Sequence, residues 1–143
     1  MAKKSNELIF DEGFKEFNIN GDPNRTIRFN PSDISIIERA QKVKRDIGKE
    51  VEKLDNLEIT DEETMAKAVE EVNKIVKDKI NYIFGSDVSD IVFGVQSPIS
   101  SANGVTLAER FIAAAIPIIQ KEIEDEDKKS KARMAKYTER YHK

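Results

Sequence analysis

The sequence predicts a mainly α-helical fold: a helical bundle of three long helices and one short helix, with an N-terminal β-hairpin. Three observations predict it. Long stretches repeat apolar residues at steps of three and four, the spacing of one helical face. Two segments open with Thr-x-x-Glu, "TDEE" from Thr60 and "TLAE" from Thr106. In that pattern the threonine and glutamate of a first turn satisfy backbone amides that have no partner inside the helix. One short segment alternates instead, with Phe17 and Ile19 before "NGDPN" and Ile27 and Phe29 after it.

Taken in order, residues 1–14 carry few structural signals and read as a flexible N-terminal arm. Residues 15–123 read as the hairpin plus helical domain. In the hairpin, Asn-Gly suits a backbone with positive φ and Pro23 fixes φ, so "NGDPN" is a turn. A two-stranded ribbon is marginal alone in water and needs a surface to pack on. "NPSD" then opens the first long helix, with Asn30 as the cap, Pro31 as the first helical residue and Asp33 in the first turn. Its stripe is Ile34, Ile37, Ala40, Val43, Ile47, Val51 and Leu54, about six turns long. The second helix opens at Thr60 and Glu63 and carries Met65, Val69, Val72, Val76, Ile80 and Ile83 on one side. Gly85 is its left-handed stop. The few residues between these two helices favour an antiparallel pair. Ser86 or Asp87 caps a short helix that Gly94 ends. "VQSPISSANG" follows as a loop. The last helix carries Leu107, Phe111, Ala115, Ile119 and Ile123, widened by Ile112 and Ile116, and Pro117 predicts a kink near Ala113 and Ala114. From residue 124 to 143 the chain becomes a charged C-terminal helical extension.

Composition narrows the chemistry. The 143 residues suit one domain, and 36% charged residues at a net charge of −3 suit helices with solvated faces. There is no cysteine, and the single histidine is His142. Ser-His and Cys-His nucleophile pairs and nearly all zinc sites are thereby excluded. Carboxylates, lysines and tyrosines remain. No apolar run is long enough for a membrane span, and "MAKKSNELIF" lacks the features of a signal peptide. A cytoplasmic protein is the expectation.

Two places invite a functional reading. In "SDVSD", Asp87 and Asp90 stand three apart, as a metal-dependent or carboxylate enzyme would use them. Helix capping uses the same residues, and a metal needs more oxygens than this pair supplies. Capping is therefore preferred, and no catalytic, cofactor-binding or metal residue is assigned. The second place is the tail. "EIEDED" holds five acids, and "KKSKARMAKYTERYHK" then carries seven Lys or Arg against one Glu. Basic residues with two tyrosines suit phosphate and base contacts, as in a small nucleic-acid-associated regulator. The upstream acids oppose that. The preferred reading docks Met134, Tyr137 and Tyr141, spaced i, i+3 and i+7, into a partner protein.

The layout "FNINGDPNRTIRFNPSD", "IIERAQKVKRDIGKEVEKL", "INYIFGSD" and "IVFG", followed by an apolar helix, resembles the tail assembly chaperones of long-tailed bacteriophages and prophages of Gram-positive hosts. The likeness spans about residues 15–121. It implies a mostly helical, non-enzymatic protein of the host cytoplasm, without a cofactor. It would coat the tape measure protein, keep it soluble and help recruit tail tube subunits. Homo-oligomers fit such a role. The resemblance carries over no individual site residue.

Overall fold

The computed structural model describes residues 6–58 and 61–141, with side chains through residue 139. Its elements are β1 (Lys15–Asn18), β2 (Thr26–Phe29), α1 (Ile34–Asp55), α2 (Glu62–Phe84), α3 (Ser89–Phe93), β3 (Ser101–Ala102), β4 (Val105–Thr106) and α4 (Leu107–Tyr141). This is the mainly helical arrangement that the sequence predicts, with three long helices, one short one and a leading antiparallel hairpin.

In the hairpin Phe17 lies opposite Ile27, and Lys15 opposite Phe29. Ile19 leaves the strand and begins a 3-10 turn, Ile19–Gly21. The turn closes where the Ile19 N–H donates to the Arg25 carbonyl at 2.7 Å. Asn20 and Gly21 both take positive φ, 52° and 73°, a region open to Asn and Gly and costly for most other side chains.

Helices α1 and α2 run antiparallel. Arg39 near the start of α1 donates from Nε to the Ile83 carbonyl at the end of α2, at 2.9 Å. Lys79 pairs with Asp46 at 3.3 Å, midway along. The core lies between these helices and the first half of α4. Ile36, Ala40, Val43 and Ile47 meet Val72, Val76, Ile80 and Ile83, with Ala108, Ile112 and Ile119 closing the third side.

Several local expectations change. α1 is capped by Asp33, whose carboxylate accepts from the Ser35 N–H at 3.0 Å. Asn30 builds a separate turn: its Oδ1 accepts from the Ser32 N–H, and its carbonyl accepts from the Asp33 N–H. Pro31 suits the second position of that turn as well as a first helical position, so the sequence signal is shared by both. The stripe keeps Ala40, Val43 and Ile47 and differs at its start. Ile36 is buried and Ile34 is 64% exposed. In α2 the expected cap, Thr60, lies outside the described residues. The observed cap is Asp61, which accepts from the Thr64 N–H at 2.8 Å and its hydroxyl at 2.6 Å. Met65, expected in the stripe, is exposed at the start of α2, and the buried stripe begins at Val72. The loop after α3 contains a small hairpin, β3–β4. Asn103 and Gly104 at its tip both have positive φ, as a two-residue hairpin turn requires. Thr106 caps α4 as expected, accepting from the Glu109 N–H at 3.2 Å. The helix is one element from Leu107 to Tyr141, with Pro117 inside it.

Two outcomes follow from this packing. Ile80→Ala removes a fully buried side chain and should cost about 2–5 kcal/mol, while Ile34→Ala should stay within about 0.5 kcal/mol. Urea denaturation of the two variants checks which of these isoleucines the core buries. The Thr64 hydroxyl, then its amide, hold the Asp61 carboxyl below its ordinary pKa. A lowered carboxylate pKa supports the fold above the ordinary carboxylate range, and that support is lost as pH falls through the lowered value. The Thr64 amide resonance should therefore titrate with a midpoint below that of an exposed aspartate, and Asp61→Asn should abolish the titration.

Candidate functional site

The corner between Phe84 and Phe93 was the strongest place for carboxylate chemistry. Gly85 ends α2 in the left-handed conformation, φ 67°. The chain then turns into α3, whose cap is Val88 and receives no hydrogen bond from its own side chain. The amides at the start of α3 are served from outside. Asn81, one turn before the end of α2, accepts from the Val88 and Ser89 N–H groups through Oδ1, each at 2.8 Å. Neither Ser86 nor Asp87 is the cap. The amide of Asn81 reaches both N–H groups because α2 stops within one turn of α3, a proximity that a linear reading does not display.

The other end of α3 is also served from a distance. Arg25, in the hairpin turn, donates from Nε to the Ile91 carbonyl at 3.1 Å and from Nη2 to the Val92 carbonyl. A cation at a helix C-terminus meets both unsatisfied carbonyls and the negative end of the dipole. Arg39 does the same for α2. Asp90 is left on the surface, 3.6 Å from Lys77. Among the described residues no group of three or more acidic or histidine side chains converges to hold a metal ion. The corner is thus built from groups that satisfy backbone.

The second candidate is the extension of α4. Residues 126–139 are exposed throughout. Lys128, Lys129 and Lys131 turn back onto Glu124, Glu126 and Asp127 at 3.3, 3.5 and 3.0 Å. Acid one turn before base is the favourable order along a helix. The charge change seen in the sequence is therefore a ladder of pairs within one helix. Met134 and Tyr137 are 55% and 59% exposed on this rod. Tyr141 ends α4, and its side chain lies outside the described residues, as does His142. No described helix is long and apolar enough to cross a membrane.

Two further apolar features were not singled out from the sequence. Leu8, Ile9 and Phe10 project from the arm at 93, 88 and 72% exposure. A groove of about 200 Å³ runs between the hairpin and α4, with Phe17 and Ile19 on one wall and Ala114 and Ile118 on the other. The triplet is visible as a run of large apolar residues between Glu7 and Asp11. The groove joins residues about a hundred positions apart and has no linear signal.

Asn81→Ala should destabilise the protein by about 1–3 kcal/mol, since it strips the acceptor from two N–H groups. Asp87→Asn and Asp90→Asn should each stay within about 1 kcal/mol, the range of an exposed pair. Thermal melts of the three variants separate capping by Asn81 from capping by the aspartates. Compared with known proteins, the chain matches no family model, and no curated protein or solved structure is significantly similar to it.

Proposed function

We propose that this chain is a non-enzymatic tail assembly chaperone of a long-tailed bacteriophage or prophage, acting in the host cytoplasm. It binds the tape measure protein, keeps it soluble and assists the tail tube to gather on it. One observation carries the reading: α4 continues past the core as an exposed helical rod bearing Met134 and Tyr137. Eighteen residues of it, from 124 on, reach about 27 Å. A narrow apolar seam on a charged rod suits reversible docking against the apolar stripe of a long helical client. Methionine adapts to irregular partners, and tyrosine presents an apolar ring with a polar tip. The charged remainder keeps the complex in solution. The client is named from the resemblance of the sequence layout to that family.

Nucleic-acid binding by the basic tail is the weaker reading. Three of its lysines already face acids on the preceding turn, which lowers the field available to phosphates.

Co-expression with a tape measure protein encoded beside this gene tests the proposal. The client should be recovered in the soluble fraction with the intact chain. It should be lost to the pellet with Met134→Ser/Tyr137→Ser, a variant whose melting temperature should match the wild type because neither residue lies in the core. A client equally insoluble with and without the intact chain sinks the reading. Strongly salt-dependent binding to duplex DNA by the same tail would transfer the function to nucleic acids.

A further inference from the structure

We infer that the chain associates with a second copy of itself, head to tail, by laying Leu8, Ile9 and Phe10 of one molecule into the groove between the hairpin and α4 of the next. This inference is independent of the client proposed above and uses a different surface.

The arm is a fixed projection at its root. Asn30 donates from Nδ2 to the Glu12 carbonyl at 3.1 Å. Gly13 sits at φ +78°, where a Cβ would stand 3.0 Å from Asn30 Nδ2. Its N–H donates to Asp11 Oδ1 at 2.8 Å. Phe14 lies under the Arg28 guanidinium, 4.7 Å from the ring centre. Beyond this anchor three consecutive large apolar side chains stand in solvent. Their covering by a second surface is favourable in proportion to the apolar area removed from water.

Charge and length select the surface. The arm reads acid, apolar, acid: Glu7 and Glu12 flank the triplet, with Asp11 beside it. The outer face of α4 reads base, apolar, base. Arg110 and Lys121 are both exposed, and Ala114, Pro117 and Ile118 lie between them. Eleven residues of helix place Arg110 and Lys121 on one face, about 16 Å apart. Five residues of extended chain from Glu7 to Glu12 span about 16 Å as well. The two patterns coincide end to end. Successive side chains of an extended segment point to opposite sides, and the groove has two apolar walls to receive them.

The molecule's own arm is directed elsewhere. Register places Arg28 opposite Glu16 on one face of the ribbon, and Phe17 and Ile27 on the other. Phe14 packs with Arg28, and Leu8, Ile9 and Phe10 are exposed and absent from the lining of the groove, so the molecule's own arm does not fill it. A donor surface and an acceptor surface at different places on one chain give a heterologous contact, which propagates in series.

Sedimentation velocity across a concentration series, at low and at high salt, tests this with two variants. Leu8→Ser/Ile9→Ser/Phe10→Ser removes the donor and Arg110→Glu/Lys121→Glu the acceptor. All five positions are exposed, so circular dichroism should match the wild type. The wild type should associate as concentration rises, less so at high salt. Each variant alone should weaken association by roughly a hundredfold. An equimolar mixture of the two variants should form one-to-one dimers, because each retains the half that the other lacks. A wild type that stays monomeric throughout overturns the inference. So does association that both variants retain, or a mixture that stays monomeric.

Discussion

Five phenylalanine rings run in contact through the molecule and tie the hairpin, α2, α3 and α4 to one another. Phe17 stacks on Phe29 within the hairpin, centroids 4.6 Å apart. Phe29 meets Phe84, the last residue of α2, at 4.9 Å. Phe84 meets Phe111 of α4 at 5.6 Å, and Phe111 takes the edge of Phe93 from α3 at 6.2 Å. Each contact contributes on the order of 0.5–1.5 kcal/mol beyond its area, and the row joins one hairpin and three helices. The ribbon could not persist alone; these rings are the surface it needs. The two Phe-Gly pairs around the corner thus have a division of labour. Glycine turns the chain, and the phenylalanine before it inserts into the row.

The rings impose a polar cost that the rest of the architecture offsets. Bringing Phe84 and Phe93 to the same Phe111 forces two helix ends and one helix start into a small volume, where N–H and C=O groups lose water. Each is met by a side chain from elsewhere: Arg39 on Ile83, Arg25 on Ile91 and Val92, Asn81 on Val88 and Ser89. No buried side-chain polar atom among the described residues lacks a partner. The arginines matter doubly. Each ties an element remote in sequence to a helix terminus, so orientation and hydrogen-bond satisfaction are fixed by one side chain. The aspartates of the same corner remain on the surface because every position near the backbone is already taken.

How much of this was legible in the residues follows from the range of each interaction. The Thr106 cap, Gly85, the Phe17–Ile27 pairing and the α2 stripe from Val72 to Ile83 depend on neighbours within one turn or one strand, and the sequence displays them. The α1 cap failed because Asn30-Pro31 and Asp33 each satisfy a local rule, and only the packing of Ile36 decides between them. The helix starts three residues later than Asn30-Pro31 suggests, and its first residue, Ile34, lies in solvent. The tiny β3–β4 pair was hidden because Asn103-Gly104 suits a loop and a hairpin alike. Arg25 and Asn81 failed for a different reason: their partners lie 66 and 7 or more positions away. Such pairings are properties of the fold, and no spacing rule encodes them.

What is left over after the core is satisfied then has a simple geography. The interior is closed by isoleucine, valine and phenylalanine, and one depression between α1 and α2 carries the charges Lys42, Asp46, Asp78 and Lys79 on its rim. Large apolar side chains that the core does not use lie at several places, Ile34, Tyr82 and Val95 on the body among them, and two groups lie toward the ends of the described chain: Leu8 to Phe10 on the arm and Met134 with Tyr137 on the rod. Both stand on backbone that the body holds at one point: Asn30 and Arg28 at the root of the arm, and Ile119 and Ile123 under the root of the rod. A sequence selected only for its own fold gains nothing from greasy residues in these places, since each exposes area that water disfavours. The client and the second copy proposed above would cover them. The charges around them, acidic on the arm and paired along the rod, favour the solubility of those surfaces.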